Sequence, residues 1–176
     1  MAKRRQPHLK RVFLDSSVFF TAAKSPYGGS AKLFVLKNIQ LVASRIVLAE
    51  VEKNVRKKLE SYHLERFFLL AHLIEISSQK PNKTLIAKAE RVIVKKDAMI
   101  LAEAKQAKTD VLITLDKKHF LTDSAKSFLN PQKIATPKMF FSLGNNNLLK
   151  LAETKIKGGP KDLSGKLKHY LYGQRG

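Results

Sequence analysis

The sequence has no cysteine among its 176 residues. This absence excludes a disulfide-stapled scaffold, thiolate chemistry and a zinc site with cysteine ligands, and it agrees with an intracellular protein. No apolar run approaches the roughly 18 residues that a membrane helix needs, so we expect no contact with a membrane interior. Asp15 interrupts the apolar stretch behind the basic N-terminus, which argues against a secretory signal. A cytoplasmic location is the resulting expectation.

Acidic residues are also scarce. Asp and Glu number 14 against 34 Lys and Arg, which gives a formal net charge of +20. Such a charge bears on partners rather than on fold. Nucleic acid is the first candidate, because lysines and arginines that neutralise phosphates release counterions and supply affinity without sequence preference. Composition alone leaves an anionic membrane surface or an acidic protein as alternatives.

The hydrophobic fraction of 44% is that of a globular protein, and its pattern predicts an α/β fold. Short apolar segments typical of buried strands alternate with segments of helical periodicity. Strands are predicted at 11–14, 41–44, 74–77, 111–115 and either 133–135 or 139–141, with helices at about 30–38, 45–59, 64–74, 84–94 and 97–108. This alternation predicts a mostly parallel central sheet flanked by helices. The predicted domains are a basic arm over 1–10, one folded domain over 11–143 and a basic extension over 144–176.

Two aspartates, Asp15 and Asp116, each follow a predicted parallel strand. In open α/β sheets, ligands bind beyond the carboxyl ends of the strands, so these two acids are expected to meet in one crevice. Ordinary turn chemistry is the alternative explanation. Ser17 and Thr114 lie two residues from these acids and would point the same way in extended chain. Their hydroxyls are candidates to hold a carboxylate or a metal-bound water, or they are ordinary core or turn hydroxyls.

Two further acids, Glu50 and Asp97, fall on helices. Glu50 lies between Val47 and Val51, on the apolar stripe of its helix. A carboxylate on a buried face needs either a cation or a salt bridge with Arg or Lys. Asp97 shares a face with Leu101, which points it toward the sheet, although a helix N-cap is the simpler interpretation.

Clustered carboxylates suit a hard cation such as Mg²⁺ or Mn²⁺. Such an ion positions an attacking water and stabilises charge on a phosphodiester. An acidic centre in a basic protein therefore predicts a metal-dependent nuclease. Lys117 and Lys118 follow the last acid and are candidates for phosphate contact, or they are solvated surface lysines. Glu103 and Asp123 have no comparable geometric case. His119 is a lone histidine after two lysines, and we predict no catalytic role for it.

Four segments carry a resemblance to a known family: VFLDSS at 12–17, VLAE at 47–50, DAMILAEA at 97–104 and LITLD at 112–116. Their order, spacing and context resemble the PIN domain over roughly 11–141. The resemblance implies a Rossmann-like sheet and a Mg²⁺- or Mn²⁺-dependent endoribonuclease, with an acidic quartet of Asp15, Glu50, Asp97 and Asp116.

The loop at 27–30 and the stretch LITLDKKHF look most like toxin components of toxin–antitoxin pairs. That branch implies RNA as substrate, an acidic antitoxin protein as partner and a homodimer. Some PIN domains are not catalytic, so an RNA-binding module or a scaffold subunit stays open as an alternative.

Overall fold

The computed structural model describes residues 9–77 and 80–142. In these ranges the elements follow one another as β1 (Lys10–Leu14), α1 (Ser16–Lys24), α2 (Gly29–Leu33), β2 (Ile39–Ser44), α3 (Arg45–Lys58), α4 (Ser61–Ala71), β3 (Glu75–Ser77), α5 (Lys83–Glu90), α6 (Lys95–Gln106), β4 (Val111–Ile113), α7 (Lys117–Phe120), α8 (Asp123–Leu129) and β5 (Lys133–Ala135). Residues 137–142 are also helical.

The strands form one sheet in the order β3-β2-β1-β4-β5, and every adjacent pair is parallel. In the register, Phe13 of β1 lies beside Val42 of β2 and Leu112 of β4. The chain adds β2 and β3 on one side of β1 and then crosses back to add β4 and β5 on the other. The direction of winding therefore reverses between β1 and β4, the place where open α/β sheets bind ligands. The predicted parallel α/β fold is confirmed.

The central strands are short apolar runs because helices cover the sheet on both faces. Residues 12–14 of β1 are fully buried, and α3 buries Val47, Val51 and Val55 along one side. Ser44 ends β2, and its Oγ accepts a hydrogen bond from the Val47 N–H at 3.2 Å. This N-cap starts α3 at once after the strand, so the helix begins at the carboxyl edge of the sheet.

Most element boundaries differ from the predictions by a few residues, α1, α7 and α8 were not predicted, and two of the differences bear on the acids. Helix α6 begins at Lys95, two residues earlier than expected, so Asp97 lies inside its first turn. Strand β4 ends at Ile113, so Thr114 and Leu115 belong to the loop beyond it. The last strand is 133–135, and 139–141 is helical.

Within 9–77 and 80–142, no helix is long and apolar enough to cross a membrane. The predicted arm over 1–10 falls almost wholly outside the described residues, and the predicted extension over 144–176 falls entirely outside them. These domain boundaries therefore stay predictions.

Candidate functional site

Asp15 directly follows β1 and is almost completely buried, with 4% of its surface exposed. Its Oδ2 accepts hydrogen bonds from Ser17 Oγ at 2.5 Å and from Thr114 Oγ1 at 2.8 Å. Both predicted hydroxyls thus contact a carboxylate, but the geometry differs from the expectation. Ser17 reaches Asp15 from the first turn of α1 rather than from extended chain, and the Thr114 hydroxyl donates across the sheet to Asp15.

The same two hydroxyls tie the loop after β4 to the loop after β1. The Leu115 N–H donates to Ser17 Oγ at 3.1 Å, and the Asp116 N–H donates to Thr114 Oγ1 at 3.0 Å. Each hydroxyl therefore accepts one backbone hydrogen bond and donates one to Asp15. This network fixes Asp15 and the start of the Asp116 loop relative to each other, at the point where the winding reverses.

Asp116 is the N-cap of α7, and His119 binds both of its carboxylate oxygens. The His119 N–H donates to Oδ1 at 3.1 Å, and the His119 ring Nδ1 lies 2.7 Å from Oδ2. Partial burial by itself would raise the pKa of Asp116, but the hydrogen bonds and charge of His119 outweigh it, so the pKa lies below its ordinary value. Asp116 is therefore an ionised carboxylate held in one orientation.

Asp97 is the third residue of α6, whose N-cap is Val94, so the interpretation of Asp97 as an N-cap is wrong. Its side chain is only 15% exposed, and its Oδ2 is buried with no hydrogen-bond partner among the residues described. The ring Nδ1 of His119 lies 3.4 Å from this oxygen. Burial raises the pKa of Asp97, and the negative charges of Asp116 and Asp15 add to this rise against the opposing effect of Lys96.

In the part of the chain that the structure describes, the group able to hold a metal ion is Asp97, Asp116 and His119, whose ligand atoms lie within 4.8 Å of one another. Asp15 lies outside this group, but the Thr114 hydroxyl bonds both its carboxylate and the Asp116 N–H, which links Asp15 to the loop that carries Asp116. Glu50 is not part of it. Its side chain is exposed, whereas Val47 and Val51 beside it are buried, so the prediction of a buried Glu50 is wrong.

A family model for the PIN domain matches residues 12–123, which hold Asp15, Glu50, Asp97 and Asp116. The chain belongs to the PIN domain family. Among solved structures, the crystal structure of PAE2754 from Pyrobaculum aerophilum is similar, with a TM-score of 0.50 and 12% sequence identity, covering 78% of this chain and 97% of that one. At this identity the likeness shows the fold alone. No curated protein sequence matches the chain significantly.

PIN domains are generally nucleases and typically use divalent metals. The residues of this PIN domain fit such an ion. Asp15, Asp97 and Asp116 offer carboxylate oxygens, the ligands that Mg²⁺ and Mn²⁺ prefer. The buried Oδ2 of Asp97 is an anionic oxygen with no hydrogen bond to the described part of the chain, and leaving such an atom unpaired is costly. A cation between the acids would satisfy it and offset both the burial and the repulsion that raise the pKa of Asp97.

Lysines stand beside the acids of this PIN domain. Lys117 and Lys118 begin α7, next to Asp116, and both are exposed, which fits phosphate contact and solvated surface lysines equally. Lys96 was not predicted, yet its charge lowers the pKa of both Asp97 and Asp116. Lys96 is exposed in the first turn of α6, so a positive side chain stands at the edge of the acidic centre.

Sequence reasoning missed two buried or half-buried groups of this PIN domain. His119 lies between Asp97 and Asp116, although it was assigned no role. The signal in the sequence was its i+3 spacing from Asp116, which suits a helix N-cap. Glu103 is 4% exposed, and its Oε2 lacks a hydrogen-bond partner in the described chain. Burial raises the pKa of Glu103, and a hydrogen bond from Ser44 opposes only part of this rise.

Proposed function

We propose that this PIN domain is a divalent-metal-dependent endoribonuclease in which Asp15, Asp97 and Asp116 hold Mg²⁺ or Mn²⁺. The observation that supports this best is the buried Oδ2 of Asp97, which faces the Asp116–His119 pair without a hydrogen bond from the described residues. A carboxylate oxygen in that environment is a ligand atom prepared for a cation.

The chain's own residues prepare this centre in distinct ways. Asp15 Oδ2 accepts hydrogen bonds from Ser17 and Thr114, and Oδ1 accepts a longer one from Ser16 Oγ at 3.4 Å, so Oδ1 is the oxygen proposed to bind a cation. His119 orients Asp116, and α6 carries Asp97 in its first turn. The ion would lower the pKa of an attacking water and stabilise the charge that develops on the phosphodiester. Hydrolysis then adds one water across a P–O bond and yields two shorter strands.

RNA is the proposed substrate because the family's nucleases act on RNA and because the surface is strongly basic. Lys96, Lys117 and Lys118 are the proposed phosphate contacts beside the acids. Each contact of this kind releases counterions, so RNA affinity should fall steeply between about 50 and 200 mM salt if several phosphates are neutralised. A flat response to salt would contradict this part of the proposal.

Glu50 remains a proposed site residue through the resemblance of its VLAE segment to the family. It lies in the second turn of α3, a helix that begins at the carboxyl edge of the sheet, and its carboxylate faces solvent. Its proposed role is to complete the metal shell or to orient the attacking water. Glu50→Gln should then slow cleavage much more than it changes RNA binding, and an unchanged cleavage rate would remove Glu50 from the site.

The decisive experiment is single-turnover cleavage of a mixed cellular RNA pool with Mn²⁺ or Mg²⁺. Asp97→Asn and Asp116→Asn are compared with the wild type, and Asp123→Asn is the matched control because Asp123 is a fully exposed aspartate at the start of α8. We expect metal-dependent cutting that Asp123→Asn keeps and the other two lose. Cutting that survives in Asp97→Asn would overturn the site. No cutting by any protein, with salt-dependent RNA binding intact, would favour the non-catalytic binding module.

We also propose that the protein is a toxin component whose activity is blocked by an acidic antitoxin, and that it forms a homodimer. The support is the resemblance of its 27–30 loop and LITLDKKHF stretch to that branch, together with the net charge of +20. Co-expression with the product of the neighbouring gene should rescue growth and yield a complex. The absence of both would reject the toxin role, and a monomer mass in analytical ultracentrifugation would reject the homodimer.

A further inference from the structure

The ring of His119 lies close to one carboxylate oxygen of Asp116 and one of Asp97. Its Nδ1 is 2.7 Å from Asp116 Oδ2 and 3.4 Å from Asp97 Oδ2. We propose that His119 is itself a metal ligand, which makes the centre a mixed nitrogen–oxygen site that selects Mn²⁺ over Mg²⁺. This inference rests on the proposed metal-dependent function and adds a residue and a metal preference to it.

The two distances from His119 Nδ1 fit neighbouring positions of one coordination sphere. In an octahedral shell with bonds of about 2.1 Å, neighbouring ligand atoms stand about 3 Å apart. The two distances from Nδ1, 2.7 and 3.4 Å, lie on either side of that value. The three groups therefore need little rearrangement to surround one ion.

The fold also holds the ring in place. Asp116 caps α7 through the His119 N–H, which fixes the backbone of residue 119 against the acid that the ring approaches. The next residue, Phe120, is 1% exposed and anchors α7 in the core. The ring is itself only 23% exposed. A free surface histidine would have none of these restraints.

A nitrogen ligand changes which ion the site prefers. Carboxylate oxygens accept Mg²⁺, Ca²⁺ and Mn²⁺ alike, whereas imidazole suits transition ions, and of the two ions proposed here only Mn²⁺ is a transition ion. Replacing one oxygen by the His119 nitrogen therefore disfavours Mg²⁺ relative to Mn²⁺. The competing explanation is that His119 only orients Asp116 through a hydrogen bond, in which case the ring would never touch the ion.

Pulsed electron paramagnetic resonance of Mn²⁺ bound to the full chain separates these two roles without relying on activity. A nitrogen bound to Mn²⁺ modulates the electron spin echo, and labelling histidine with ¹⁵N shifts the modulation frequency. The wild type is compared with His119→Gln, and with His72→Gln as the matched control. His72 is an exposed histidine at the end of α4 whose Nδ1 lies 2.8 Å from the Phe68 carbonyl oxygen.

We expect a histidine nitrogen signal in the wild type and in His72→Gln, and its loss in His119→Gln. Calorimetry should show Mn²⁺ affinity falling by about tenfold or more in His119→Gln, with a smaller change for Mg²⁺.

Mn²⁺ bound by the wild type without a histidine signal would overturn the inference and leave the proposed nuclease standing. A wild type that binds no Mn²⁺ would reject both. Retention of the signal in His119→Gln would assign it to another histidine.

Discussion

The buried hydroxyl of Thr114 makes two of the hydrogen bonds that connect Asp15 to the Asp116 loop. Replacing Thr114 therefore tests whether these bonds stabilise the site. The residue is fully buried, donates to Asp15 Oδ2 at 2.8 Å and accepts from the Asp116 N–H at 3.0 Å. Valine has nearly the same shape, so Thr114→Val removes both bonds without opening a cavity. The substitution leaves a buried carboxylate short of one donor and a backbone N–H without its acceptor.

The expected cost follows from these two bonds. A hydrogen bond to a charged group contributes about 1.5–3 kcal/mol, and a buried donor left without a partner costs about 1 kcal/mol or more. We therefore expect Thr114→Val to lower the free energy of unfolding by about 3 kcal/mol. For a chain of this size, that corresponds to a fall in Tm of about 6–12 °C.

The measurement is urea unfolding of the metal-free proteins at pH 7, with Thr114→Ser as the matched control because serine keeps the hydroxyl and loses only a methyl group. A double-mutant cycle with Asp15→Asn then isolates the coupling between the two side chains, which should exceed about 0.5 kcal/mol. If Thr114→Val and Thr114→Ser unfold at the same urea concentration and the coupling is absent, the hydroxyl network does not hold Asp15.

Three further predictions concern charge, backbone and substrate. Burial raises the pKa of Glu103 above its ordinary 4.5, so the wild type loses stability as the pH rises from 4.5 through the folded-state pKa. Glu103→Gln should match the wild type in urea near pH 4 and exceed it at pH 7, and a constant difference would contradict this. Gly28 has φ +94° with no atom within 4 Å of an added Cβ, so Gly28→Ala should cost about 1–3 kcal/mol from backbone strain alone, and an unchanged Tm would refute it. Lys96→Gln should reduce the salt dependence of RNA binding by about one phosphate, whereas an unchanged slope would place Lys96 away from the RNA.

The position of Asp15 and Asp116 at the carboxyl edge of the sheet was predictable from the sequence, because it depends only on the residues next to each strand. A buried strand followed at once by an aspartate places that acid at a carboxyl edge, whatever the rest of the fold does. Asp15 follows β1 in this way. Asp116 stands three residues beyond the end of β4, and the Thr114 hydroxyl, which contacts both Asp15 Oδ2 and the Asp116 N–H, connects it to the same edge of the sheet.

Glu50 shows that helical periodicity alone does not predict whether a side chain at the edge of an apolar stripe is buried. A step of about 100° per residue places it at the border between the buried stripe of Val47 and Val51 and the solvated face. At a border, the direction of a long side chain depends on its packing neighbours, which periodicity does not contain. The Glu50 side chain therefore faces solvent although it borders the stripe of buried valines.

The role of His119 could not be predicted because it depends on two contacts, one with a residue near in sequence and one with a residue on another helix. Its bond to Asp116 is local and follows from a helix N-cap three residues away. Its approach to Asp97 joins α7 to the first turn of α6, and only the parallel sheet brings those helix ends together. A lone histidine after two lysines carries no sign of the second contact. The metal preference proposed for this PIN domain therefore becomes visible only when the i+3 pair and the buried Asp97 oxygen are seen at one edge of the sheet.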